Sequence, residues 1–242
     1  MNRRNFLKVA GVSGAVVAIS PSMITGQLHA SNGTLLENYE RVQLVDADGN
    51  PIKASSLKKE TNYVFNYPYV STPSILLNLE KPTQKDVKLT SADGVEYIWS
   101  GGAGKDNALV AFSAICSHQL AHPTPDDSFI QYITDDEETM AYERGGVVVC
   151  SSHLSAFDAH GGCKRLSGPA NEPLASVILE VEDDDTIWAS AVLGPDKFHE
   201  YFKTFKPELN KYYGGRRKAK RPVKDSVKTV TLKEFTKDII KY

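Results

Sequence analysis

Two short stretches of this chain place a cysteine close to a histidine: Cys116 and His118 in SAICSHQLAH, and Cys150 and His153 in VVVCSSHLSAFD. The chain has only three cysteines and six histidines, so two such pairs in the same order form a concentrated signal. Thiolates and imidazoles are metal ligands, and two chemistries suit a set of two each. One is structural zinc, four-coordinate and tetrahedral. The other is a cluster of two irons and two sulfides in which two histidines replace two cysteines on one iron. Zinc fingers usually pair cysteine with cysteine and histidine with histidine. Here each stretch supplies one of each, C-x-H and then C-x2-H, with 31 residues between. Each loop is then able to place its cysteine on one iron and its histidine on the other.

Such loops need a rigid frame, and the surrounding sequence reads as β. RVQLVDADGNPI alternates and ends in a turn signal, and TNYVFNYPYV and SILLNLE are apolar runs bounded by prolines. VKLTSADGVEYIW reads as a hairpin around Ala-Asp-Gly, and ASVILEVEDDDTIWASAV as a hairpin with an acidic turn. NALVAFSAIC and GGVVVCSSH are buried-type strands that run straight into the two cysteine–histidine loops. The expectation is an all-β domain over 41–194, preceded by a linker at 31–40. The tail, 195–242, is expected to be a helical and basic extension. KFHEYFKTFKPELNKYY has helical spacing, GGRRKAKRPVK is a basic linker, and TLKEFTKDIIKY suits a short helix capped by Thr231 with Glu234 three residues on. Such a tail wraps the body or serves as a docking arm.

The loops and their neighbours resemble a Rieske iron–sulfur protein. SAICSHQLAHPTP looks like that family's first cluster loop, ERGGVVVCSSHLSAFD like its second, and LSGPA like its proline loop. Within the family, FNYP, GKDNALVAFSAICSH and SSHLSAFDAHGG look most like the small subunit of arsenite oxidase. The resemblance implies an antiparallel β-sandwich with a cluster-binding subdomain and one 2Fe-2S cluster. Its ligands would be Cys116, His118, Cys150 and His153, with the Ser155 hydroxyl directed at a bridging sulfide. The chain also departs from the pattern. The disulfide that usually links the two loops is missing, because Ala121 and Ser152 stand at the matching positions. Phe157 stands where bc-type members have a tyrosine donor. Cys163 has no partner thiol and reads as a core or loop residue. His122 and His160, near the loops, read as exposed, with modulation of charge at the cluster edge as the alternative.

The resemblance implies an electron-transfer subunit of an oxidoreductase rather than a catalyst alone. The donor would be a catalytic molybdenum subunit or a cytochrome b, and the acceptor a periplasmic cytochrome c or copper protein. The alternative is the iron–sulfur subunit of a quinol-oxidising cytochrome bc complex. An oxygenase would need a further mononuclear iron set of two histidines and a carboxylate, which the remaining histidines do not form. No phosphate loop, nucleotide fingerprint or nucleophile–base set is present.

The N-terminus, MNRRNFLKVAGVSGAVVAIS, resembles a twin-arginine export signal over 1–30 and implies a periplasmic destination. Its apolar run, Val9 to Ser20, is short against the ~20 residues a spanning helix needs. Cleavage is therefore expected, with an uncleaved membrane anchor as the alternative, since Leu28 suits a site after Ala30 poorly. The formal charge of −2 conceals an asymmetry: residues 1–30 carry +3, residues 214–242 carry +7 and the body between them −12. An acidic body excludes nucleic acid as the main partner. The acidic runs Asp135–Glu138 and Asp183–Asp185 read as solvated turns, or as a face for a basic cytochrome.

Overall fold

The computed structural model describes residues 35–241. The expected export signal and the first four residues of the expected linker lie outside the described residues. The strands, in chain order, are β1 (Leu36–Val45), β2 (Tyr63–Asn66), β3 (Pro73–Asn78), β4 (Val87–Thr90), β5 (Glu96–Trp99), β6 (Leu109–Ser113), β7 (Asp127–Ser128), β8 (Ile130–Ile133), β9 (Val147–Cys150), β10 (Ser155–Asp158), β11 (Lys164–Ser167), β12 (Ser176–Val181), β13 (Ile187–Leu193), β14 (Ser226–Thr231) and β15 (Asp238–Ile239). Four short helices, α1 (Phe198–Thr204), α2 (Lys206–Tyr213), α3 (Arg216–Ala219) and α4 (Leu232–Phe235), all lie after β13.

The all-β expectation holds. Seven strands close into a barrel in the order β1-β13-β12-β6-β3-β2-β14. A separate four-stranded sheet, β11-β10-β9-β8, carries the second cysteine–histidine loop between β9 and β10. β3 and β6 explain why the two bodies pack as one. Successive side chains on a strand point to opposite faces, and these two strands are apolar on both. Leu76 and Ala111 point into the barrel core with Phe65, Val177 and Ala189. Ile75, Leu77, Val110 and Phe112 point the other way, into a second core with Tyr132, Val148 and Phe157 of the small sheet. A strand buried on both faces reads as a continuous apolar run, as SILLN and LVAFS do.

The termini differ from expectation. β1 begins at Leu36, inside the stretch read as a linker. The tail is part of the barrel rather than a wrapping. β14 pairs parallel with β1 and antiparallel with β2, and so closes the cylinder. Its sequence SVKTVT buries Val227 and Thr229 at alternate positions, a period of two obscured by the basic composition around it. Phe198, Tyr201, Phe202 and Leu209 of α1 and α2 bury themselves in the barrel core. The Thr231–Glu234 capping box is formed, and opens the one-turn helix α4.

Candidate metal centre

The two cysteine–histidine loops meet between the barrel and the small sheet. Cys116 lies three residues beyond β6, and Cys150 is the last residue of β9. Both thiols are about 1% exposed and share the second core with Phe157. The sulfurs are close enough to hydrogen-bond to each other. That bond lowers the Cys116 thiol below its ordinary range, and the amides of His118 and Gln119 add to the effect. The same bond, followed by burial, raises Cys150, which keeps the proton of the pair. The amides of Ser152 and His153 point at Cys150 as those of His118 and Gln119 point at Cys116. Four backbone donors aimed at two buried sulfurs form a cradle for thiolate charge. Loading a metal would complete the deprotonation.

The imidazoles form the second pair. The His118 and His153 rings stand edge to face, 4.8 Å between centroids. His118 Nδ1 is buried without a hydrogen-bond partner, a lone pair left for a ligand. His153 is exposed, and both rings line an open depression with Met140, Ser152, Leu154 and Pro169. Among the described residues no three His, Cys, Asp or Glu side chains converge on one point. A tetrahedral zinc site needs four ligands around one ion. Two sulfurs together and two imidazoles together instead fit a cluster with two protein ligands on each iron.

Each loop stores backbone strain at the same place. Leu120 and Leu154, each four residues after its cysteine, have φ of 62° and 58°. A bulky side chain in the left-handed region is an outlier that costs on the order of 1–3 kcal/mol and persists only where the surroundings enforce it. In the first loop the enforcement is visible: Leu120 N–H donates to Cys116 O, and Cys116 N–H to Ala121 O, each at 2.9 Å. Ser117, between the two candidate ligands, donates to the Glu172 carbonyl at 2.8 Å.

Ser155 is fully buried on β10, opposite Cys150. Its Oγ accepts the Ala170 amide at 3.1 Å, which ties the proline loop to the site and leaves the hydroxyl hydrogen free to donate. Gly168 permits the close approach. It has φ of 82°, and a Cβ there would meet Ser155 Cα at 2.5 Å. Phe157 is fully buried and brings no hydroxyl to the site.

The readings of the two further histidines need revision. His122 is buried, not exposed. One ring nitrogen faces the Leu120 carbonyl and the other Glu208 of α2, both at 2.7 Å. Tyr201, Phe205 and Glu208, which face it, lie too far along the chain for local spacing to connect them with it. His160 is half-buried. Cys163 is fully buried in the second core, where burial pushes its thiol well up. The acidic runs are partly neutralised: Asp135 pairs with Lys81, Glu137 with Lys241 and Asp184 with Lys53. Sequence reasoning missed Met140, which is 75% exposed beside the imidazoles.

Residues 79–178 match the pattern described as the Rieske [2Fe-2S] domain. Residues 1–20 match the signal sequence of the twin-arginine translocation pathway. The chain is 31% identical over 194 residues to the iodate reductase subunit IdrB of Pseudomonas sp. (strain SCT), covering 80% of each. It is 30% identical to the subunit of the same name in Denitromonas iodatirespirans, over 80% of this chain and 82% of that one. Among solved structures it is similar to the soluble domain of the Rieske protein II (soxF) from Sulfolobus acidocaldarius. That likeness has 20% identity and a TM-score of 0.45, over 77% of this chain and 93% of the other.

Proposed function

Because the chain belongs to the Rieske [2Fe-2S] family, we propose that it is the electron-transfer subunit of an exported molybdenum oxidoreductase acting on an oxyanion. Cys116 and Cys150 hold one iron of its single 2Fe-2S cluster, and His118 and His153 hold the other. The observation that carries this reading is the sorting of the site into a buried sulfur pair and an imidazole pair that reaches the surface. When bound, the cluster supplies a one-electron carrier. The four amides around the sulfurs stabilise their negative charge. The Ser155 hydroxyl, whose oxygen accepts the Ala170 amide, would have its hydrogen free to donate to cluster sulfur and so favour the reduced state. The exposed His153 edge and its apolar collar, Met140, Leu154 and Pro169, give a partner a short approach.

The relatives named iodate reductase subunits support an oxyanion-handling partner, and the loop sequences resemble the arsenite oxidase small subunit. These substrates differ in the direction of electron flow: oxidising arsenite delivers electrons, whereas reducing iodate consumes them. The donor and acceptor exchange places accordingly, the other carrier being a cytochrome c or copper protein. The twin-arginine match supports assembly of the cluster before export and work in the periplasm.

Iron, sulfide and zinc analysis of the purified full chain tests the site. Two irons and two sulfides per chain are expected, and colourless protein with stoichiometric zinc would refute it. The complex purified with its catalytic subunit tests the substrate. Iodate should reoxidise the reduced cluster, as followed by its visible absorption. Reduction of the cluster by arsenite would reassign the complex to the arsenite-oxidising type, and no response to either oxyanion would refute the reading.

A further inference from the structure

Ala121 and Ser152 stand where the resemblance would place a disulfide between the two loops, and the first loop holds Leu120 at positive φ without such a clip. Resting on the ligand assignment above, we propose that His122, braced by Glu208, is the positioning residue of the first cluster loop. The C-terminal helices thereby do from outside what a covalent clip would do between the loops.

His122 is 5% exposed. Its Nδ1 lies 2.7 Å from the Leu120 carbonyl. A carbonyl only accepts, so this nitrogen carries a hydrogen and donates it. Leu120 is the residue held at positive φ, and its own N–H closes the turn onto the Cys116 carbonyl. The histidine therefore grips the turn that presents Cys116 and His118. Nε2, on the far side of the ring, lies 2.7 Å from Glu208 Oε1. A short contact between imidazole and carboxylate is among the stronger hydrogen bonds. Tyr201 and Phe205 meet the ring edge to face at 4.7 and 4.8 Å, so it has little freedom to turn away.

Glu208 is itself well anchored. It lies in the first turn of α2, next to the fully buried Leu209, which belongs to the barrel core. The same helix reaches the chain just after the loop a second time: Lys211 Nζ bonds Asp126 at 2.6 Å and Tyr212 Oη bonds it at 2.5 Å. The loop is thus tied to the barrel through α2 at two points, of which His122 is the one that touches the ligand-bearing turn. Partners behind a metal ligand orient it and tune the metal. A histidine that merely filled core volume would affect stability and leave the cluster unchanged.

The test uses the full-length holoprotein with Glu208→Ala, Glu208→Gln and His122→Phe. Wild-type protein must first show the electron paramagnetic resonance of a histidine-ligated 2Fe-2S cluster. If it does not, the ligand assignment fails and the proposal with it. Given that signal, Glu208→Ala should release iron to a chelator about tenfold faster than wild type, with an altered resonance line shape and midpoint potential. Glu208→Gln keeps an acceptor at the same reach and should stay near wild type. His122→Phe keeps the aromatic packing, loses both hydrogen bonds, and should behave like Glu208→Ala. If Glu208→Ala does not accumulate, the contrast between Glu208→Gln and His122→Phe decides. Variants that melt earlier yet keep the wild-type line shape, potential and iron release would overturn the proposal, as would a wild-type-like His122→Phe.

Discussion

Removing one oxygen from Ser155 should have two separable consequences. The residue is fully buried opposite Cys150, and its Oγ already accepts the Ala170 amide. Its hydroxyl hydrogen is then the atom free to donate to cluster sulfur. A hydrogen bond to a charged group is worth about 1.5–3 kcal/mol. If that bond forms mainly in the reduced state, its loss destabilises that state. At 59 mV per tenfold for one electron, Ser155→Ala should lower the reduction potential by roughly 60–130 mV. The Ala170 amide is also left unpaired inside the protein, at about 1–3 kcal/mol. For a domain of this size that lowers the melting temperature by roughly 2–4 °C per kcal/mol. Voltammetry and a thermal melt on the same holoprotein read the two effects independently. A lower melting temperature with an unchanged potential would mean that the hydroxyl serves only the Ala170 amide. A raised potential would refute the electrostatic argument.

Phe157→Tyr adds a hydroxyl to the buried cluster that holds Cys116 and Cys150, and should raise the potential. A variant with lowered stability and unchanged potential would show that the new oxygen does not reach sulfur. Asp126 is held well below the ordinary carboxylate range, first by Lys211, then by Lys237 and Tyr212. A depressed folded-state pKa contributes stability above the unfolded value, about 3.9 for aspartate, and that stability is lost as the pH falls below it. Hydrogen exchange at the parallel β7–β15 pairing should therefore speed up below about pH 4, and Asp126→Asn should show the same loosening at neutral pH. Because these partners are largely exposed, added salt should shrink the effect. Wild-type protection in Asp126→Asn at neutral pH would contradict the assignment.

Features set by local spacing were legible in the sequence. A cysteine and a histidine two or three residues apart at the end of an apolar strand share a loop whatever the rest of the chain does, so Cys116, His118, Cys150 and His153 stood out before any fold was known. Apolar or alternating runs and turn residues likewise marked the barrel strands other than β14, but of the small sheet they marked β9 alone. The Thr231–Glu234 cap, a contact across three residues, was equally readable.

Contacts between distant segments could only be decided by the tertiary structure. The sequence showed two cysteine–histidine pairs, but the fold regrouped them as sulfur with sulfur and imidazole with imidazole. His122 looked like an exposed loop residue because its partners Tyr201, Phe205 and Glu208 lie about eighty residues further along the chain. The tail looked like a basic appendage, and β14 closes the barrel against β1, across more than 180 residues. Local propensity carries no information about such pairings. They form because burying Val227, Phe198 and Leu209 in the barrel core removes apolar surface from water, and because the backbone edges of β1 and β2 need partners that only a strand arriving from the far end of the chain supplies.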